Sequence, residues 1–102
     1  MEYLNDNMGK NQAQRCARAA LNNGLVSFSD HAEKRMKRRD LTKGDINNVL
    51  NCGRVVSMRR DEERHCYSYL VSTRAIQVPV SFKEVVIGAK AHLALIVISC
   101  WR

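Results

Sequence analysis

The hydrophobic period of this chain changes once, at Gly53, and that change constrains the fold more than any other feature. Before it, apolar residues recur at helical spacing. Ala13, Cys16, Ala17, Ala20 and Leu21 form an i, i+3, i+4, i+7, i+8 stripe, which predicts a helix over residues 10–23 with one buried face. Gly24 is placed to end it in a left-handed turn. After a short extended link, "LVSF", a second helix is expected from about Asp30 to Arg39, capped by Ser27 or Ser29. A third begins at Thr42, where Asp45 three residues on forms a capping-box pattern with Asp in place of Glu. Ile46, Val49 and Leu50 give it a buried face, and Gly53 stops it.

Beyond Gly53 the segments are short and rich in β-branched and aromatic residues: "RVVSMRR", "RHCYSYLV", "AIQVPVSF" and "LALIVISCW". Ile76, Val78, Val80 and Phe82 alternate strictly and belong on one sheet face. Pro79 argues that this strand is an edge or carries a bulge. The last segment is apolar almost throughout, as expected of a central strand covered on both faces. "RRDEER" reads as a charged hairpin turn between the first two strands. Helices first and strands afterwards imply an α+β fold, with N-terminal helices packed on a four-stranded antiparallel sheet.

With 102 residues, 45% of them hydrophobic, the chain suits one compact domain and not a disordered segment. We assign residues 1–9 to a flexible N-terminal segment and 10–102 to a single α+β domain. The polar start "MEYLNDNMGKNQ" has no apolar core of a secretory signal, and the apolar run Leu93–Cys100 is far shorter than the roughly 20 residues a spanning helix needs. A cytoplasmic protein without membrane attachment is expected. The four cysteines (16, 52, 66 and 100) include no C-x-x-C pair, so reduced thiols are expected; a zinc set of Cys52, His65, Cys66 and His92 lacks the usual close spacing.

Seventeen Lys and Arg against ten Asp and Glu give a net charge of +7, which favours a polyanionic partner: nucleic acid, an acidic membrane surface or an acidic protein. Five of the six residues from 34 to 39 are basic. With about 100° per helical residue, Arg35 lies roughly 40° from His31, Arg38 about 20° and Lys34 about 60° to its other side, and Arg39 about 80° away. Ala32 and Met36 point further round, toward the core. His31, Arg35 and Arg39 thus form an i, i+4, i+8 ladder beside the buried stripe. Like charges this dense repel one another unless anions lie nearby, whereas a face built only for solubility mixes signs more often. Such a run is also compatible with a solvated face.

On the second strand, His65, Tyr67, Tyr69 and Val71 share one face and Cys66, Ser68 and Leu70 the other. The ring-bearing face suits base stacking or hydrogen bonding to phosphate, or it covers the rim of the core. Arg54, Arg59, Arg60, Arg64 and Arg74 add cations to these strands.

"FSDHAEKRMKRRDLTKGDINNVLNCGRV", with a Tyr-bearing strand and a closing "ISCW", resembles a family of small bacterial domains of unknown function marked by an H-A-x-x-R-M-x-x-R-G-I-S/T helix. His31, Ala32, Arg35, Met36, Arg39, Leu41 and Thr42 match that pattern, while Asp40 stands where glycine is usual. The family is grouped with the barnase–EndoU–colicin–RelE nuclease toxins. The resemblance implies a RelE/barnase-like fold and a metal-independent endoribonuclease toxin without a cofactor, acting on RNA, in some cases on the ribosome, and held by a cognate antitoxin.

Metal-free RNA cleavage needs a base for the 2′-OH, an acid for the leaving oxygen and cations around the phosphate. The expected assignment gives proton transfer to His31, with His65 or Tyr69 opposite. Arg35 and Arg39 stabilise the phosphate, and Lys34, Lys37, Arg38, Arg59, Arg64 and Tyr67 bind the strand. Two other classes stay open: a non-catalytic RNA- or ribosome-binding protein, and a basic protein-interaction module such as a phage or regulatory protein.

Overall fold

The computed structural model describes residues 8–62 and 65–102. Its elements run α1 (Lys10–Asn22), β1 (Val26–Phe28), α2 (Asp30–Arg39), α3 (Lys43–Cys52), β2 (Arg54–Asp61), β3 (Cys66–Ser72), β4 (Gln77–Ile87) and β5 (Lys90–Val97). The helix expectations match closely. Ala13, Ala17 and Ala20 are the buried positions of α1, and Gly24 takes a left-handed conformation with φ 70° just after the helix. These small side chains let the helix backbone approach the sheet. Thr42 and Asp45 form a complete capping box at the start of α3, each side chain accepting a hydrogen bond from the other residue's backbone N–H.

The sheet differs from expectation. It has five strands in the order β1-β5-β4-β3-β2 and is mixed, because β1 pairs parallel with β5 through Val26–Leu95, Ser27–Ile96 and Phe28–Val97. The "LVSF" link is therefore a strand. Its backbone is satisfied across the chain: Leu95 N–H donates to Leu25 O at 2.8 Å and Ser29 N–H to Val97 O at 3.0 Å.

Pro79 is not on an edge, since β4 lies between β3 and β5. It has no N–H to give, and the β4–β5 ladder stops beside it at Val80–Val97. Pairing resumes at Gln77–Trp101, three steps along one chain against four along the other, so the extra residue bulges from the C-terminal segment opposite Pro79. As expected, β5 is central, and Leu95, Ile96 and Val97 are buried on alternating faces. The β2–β3 turn runs from Asp61 to Cys66, with Glu63 and Arg64 outside the described residues.

One sheet face, carrying Val55, Tyr69, Val71, Val78, Val80, Phe82, Leu95 and Val97, closes a single core with Ala32 and Met36 of α2 and Ile46, Val49 and Leu50 of α3. Each fully buried aliphatic or Phe side chain here contributes about 1.5–3 kcal/mol. The opposite face is not covered by these helices and leaves room for a surface groove.

Candidate nucleic-acid interface

Ser29 positions α2. Its hydroxyl accepts a hydrogen bond from Ala32 N–H at 3.0 Å, capping the helix, and donates to Ile98 O at 2.9 Å. One side chain thus fixes the start of the basic helix to the segment that follows β5. At the other end, Asp40 adopts a left-handed conformation (φ 55°, ψ 45°) and Leu41 N–H reaches back to Met36 O at 2.9 Å. Arg102 donates to Asp40 O at 3.5 Å, so residues 98–102 run along α2 at both its ends.

Ala32 and Met36 are buried and His31, Lys34, Lys37, Arg38 and Arg39 are exposed, as the helical angles require. Arg35 is half-buried at the boundary. Its Nε is enclosed and has no hydrogen-bond partner. Glu33 pairs with Lys43 at 3.8 Å and Arg60 with Glu62 at 4.0 Å, and among the described residues no carboxylate pairs with Lys34, Arg35, Lys37, Arg38 or Arg39. Arg35 and Arg39 also flank Cys100: burial pushes that thiol's pKa up, while Arg35 and then Arg39 pull it down. The structure thus gathers His31, Lys34, Arg35, Arg38 and Arg39 on one helix beside the C-terminal segment.

It does not bring the strand residues to them. Tyr69 is 2% exposed, packs edge-on against Phe82 with ring centroids 5.8 Å apart, and its hydroxyl accepts from Met8 N–H at 3.1 Å. The ring-bearing face of β3 is the core face, so Tyr69 is a core residue and not a surface proton donor. His65 is exposed in the β2–β3 turn with φ 52°, outside the strand where sequence placed it. Across the sheet, Phe28, Val97, Val80 and Tyr69 lie in one row, and His65 stands four residues before Tyr69, just ahead of β3. Three strand spacings and four residues of rise separate Phe28 from His65 by roughly 20 Å. His31 lies beyond Phe28 in the opposite direction, so His31 and His65 cannot act on the same phosphate. Tyr67 is half-buried with the Arg60 guanidinium 5.3 Å from its ring centroid. Arg64 lies outside the described residues.

A feature that sequence reasoning passed over lies on the other face of the sheet. Ser57, Leu70 and Pro79 are cross-strand neighbours, and Ile98 donates its N–H to Pro79 O at 2.9 Å, so the row Ser57–Leu70–Pro79–Ile98 ends at the Ser29 cap. Arg59 pairs with Ser68 in the next row. Above them is a groove of about 380 Å³ lined by Ser57, Arg59, Ser68, Leu70, Pro79 and Trp101. Its signal in the sequence is the alternation that sets Ser68 and Leu70 opposite Tyr67 and Tyr69.

Among the described residues, no three His, Cys, Asp or Glu side chains gather where they could hold a metal ion, and no helix is long and apolar enough to cross a membrane. Cys52 is exposed at the end of α3, whereas Cys66 is buried on β3.

A helical N-terminal half packed on one face of a mixed five-stranded sheet, with a basic helix at its margin, defines a small α+β domain. Residues 28–99 match the family model described as a domain of unknown function, DUF4258, and the chain belongs to that family. The match begins at Phe28, the last residue of β1, and ends one residue before Cys100, taking in α2, α3 and strands β2 to β5. No curated protein and no solved structure matches the chain.

Proposed function

We propose that this protein binds single-stranded RNA along α2 and cleaves it without a metal ion, as an endoribonuclease toxin of a toxin–antitoxin pair with a RelE/barnase-like ancestry. The observation that carries the reading is the partnerless Arg35. An enclosed donor without an acceptor costs about 1–3 kcal/mol, and among the described residues no carboxylate pairs with Lys34, Arg35, Arg38 or Arg39. A phosphate oxygen provides what the fold withholds. Arg35 and Arg39 clamp the phosphate, Lys34 and Arg38 hold the flanking backbone, and His31 at the exposed helix start takes the 2′-OH proton. Attack of that oxygen on phosphorus forms the 2′,3′-cyclic phosphate as the bond to the 5′-oxygen breaks. The departing oxygen takes its proton from water, since neither His65 nor Tyr69 faces the site.

That missing side-chain acid also favours a second reading, an RNA- or ribosome-binding protein that uses the same helix without chemistry. Incubating RNA with the pure protein in EDTA separates the two. Cleavage that falls by roughly 10²-fold in His31→Ala, with RNA affinity largely kept, supports the nuclease. Binding without cleavage in the unaltered protein leaves the binder.

A further inference from the structure

The groove on the sheet face opposite the core helices has a chemistry distinct from that of α2. Its floor combines flat or rigid apolar surface (Leu70, Pro79 and the Trp101 ring) with two hydroxyl side chains, Ser57 and Ser68, and one exposed guanidinium, Arg59. Trp101 is fixed in place by paired backbone bonds: Gln77 N–H donates to Trp101 O at 2.8 Å and Trp101 N–H to Gln77 O at 3.0 Å. The bulge opposite Pro79 sets this register and returns Trp101 to the face that Gln77 and Pro79 share. At about 380 Å³ the groove falls in the range of roughly 300–1,000 Å³ typical of small-ligand sites. A neighbouring recess shares Arg59, Ser68 and Pro79 and continues past Ile98; its acidic members, Asp61 and Glu62, lie toward the β2–β3 turn, with Glu62 paired to Arg60.

We propose that this groove is a nucleobase subsite, in which one unpaired base of an RNA strand stacks on Trp101 and Pro79 while Arg59 holds its phosphate. The inference rests on the RNA-binding reading of α2 and extends it. A base presents a π-face that an indole ring takes regardless of sequence, and the two serines can read its edge. Continuity supports it. Two strand spacings, about 10 Å, separate Pro79 from Ser29, the residue that starts the basic helix. A strand leaving the groove over Ile98 therefore heads for the start of α2, with one nucleotide anchored by stacking and a phosphate further along the strand among the cations.

Trp101 is the chain's one tryptophan, so its fluorescence reports on this groove and nowhere else. The test titrates the full protein with a fluorescein-labelled 2′-O-methyl oligonucleotide, which cannot be cleaved. Anisotropy measures binding anywhere on the protein, and an unlabelled copy of the same oligonucleotide is used to follow indole emission. The proposal expects quenching with the same midpoint as the anisotropy change, roughly tenfold weaker binding in Trp101→Leu with an unchanged salt slope, and a salt slope lower by about one in Arg59→Ala. Arg59 is exposed, so that variant keeps the test valid even if Trp101→Leu does not fold. An anisotropy rise with unchanged indole emission and an unchanged Arg59→Ala slope overturns the groove while leaving α2 as the RNA site. No anisotropy change with any oligonucleotide removes the RNA-binding reading itself.

Discussion

Asp40 holds a backbone conformation that disfavours every residue with a Cβ. With φ 55° it ends α2, and its N–H still closes onto Lys37 O at 3.4 Å. The chain thus keeps the helix exit geometry at some cost in strain. Asp40→Gly is expected to raise stability by about 0.5–1 kcal/mol in urea unfolding, because the interaction with Arg102 uses the backbone carbonyl and survives the change. A loss of stability would show that the Asp40 carboxylate has a role beyond the turn. His31 is the corresponding test for function. His31 is exposed, so His31→Ala is expected to retain the melting temperature while cleavage falls by roughly 10²-fold.

At the scale of elements, α2 and α3 are held by different means. α3 depends on its own capping box, where hydrogen bonds from Thr42 hold the Asp45 carboxyl below its ordinary pKa. A folded-state value below the unfolded one contributes stability that is fully present above the ordinary carboxylate value, about 3.9, and is lost as the pH falls through the lowered value. Asp45→Asn should therefore flatten the acid limb of a urea-midpoint series below about pH 4. An acid limb as steep as that of the unaltered protein would place the sensitivity in other carboxylates. α2, in contrast, carries Lys34, Lys37, Arg38 and Arg39 exposed with no carboxylate paired to them among the described residues. Replacing Arg35 and Arg39 together by alanine is expected to lower the slope of log affinity against log salt by about two, one for each phosphate that is no longer neutralised. A slope equal to that of the unaltered protein would move RNA binding off this helix.

For the molecule as a whole, the parts legible in the sequence were those whose signal is local. The alanine stripe of α1, the Thr42–Asp45 box and the alternation of Val78, Val80 and Phe82 each declare their structure within a few residues. β1 did not, because Val26–Phe28 is too short to show a period and its partner lies 69 residues on, from Phe28 to Val97. Pro79 misled for a related reason: its missing N–H is accommodated by a bulge in a distant segment. The faces of β3 were separated correctly by alternation, but alternation does not say which face the helices cover. Two tyrosines and a valine went inward, and Ser68 and Leu70 were left to line the groove. His31, Arg35 and Arg39 could be grouped because helical spacing alone brings them together. His65 and Tyr69 could be joined to them only through the tertiary fold, and the fold keeps them apart.

The bond from the Ser29 hydroxyl to Ile98 O, with β1 lying along β5, also sets an order of assembly. During synthesis the ribosome delivers every cation of α2 some sixty residues before the strand that anchors the helix. Until residue 98 emerges, Ser29 lacks half its hydrogen bonds, β1 has no neighbour, and the Ile98 wall between helix and groove does not exist. Both halves of the proposed RNA path are therefore completed by the same late event. On the proposed function, a growing chain carries the charge for binding RNA well before it has the geometry to use it, and the message from which it is being translated is spared.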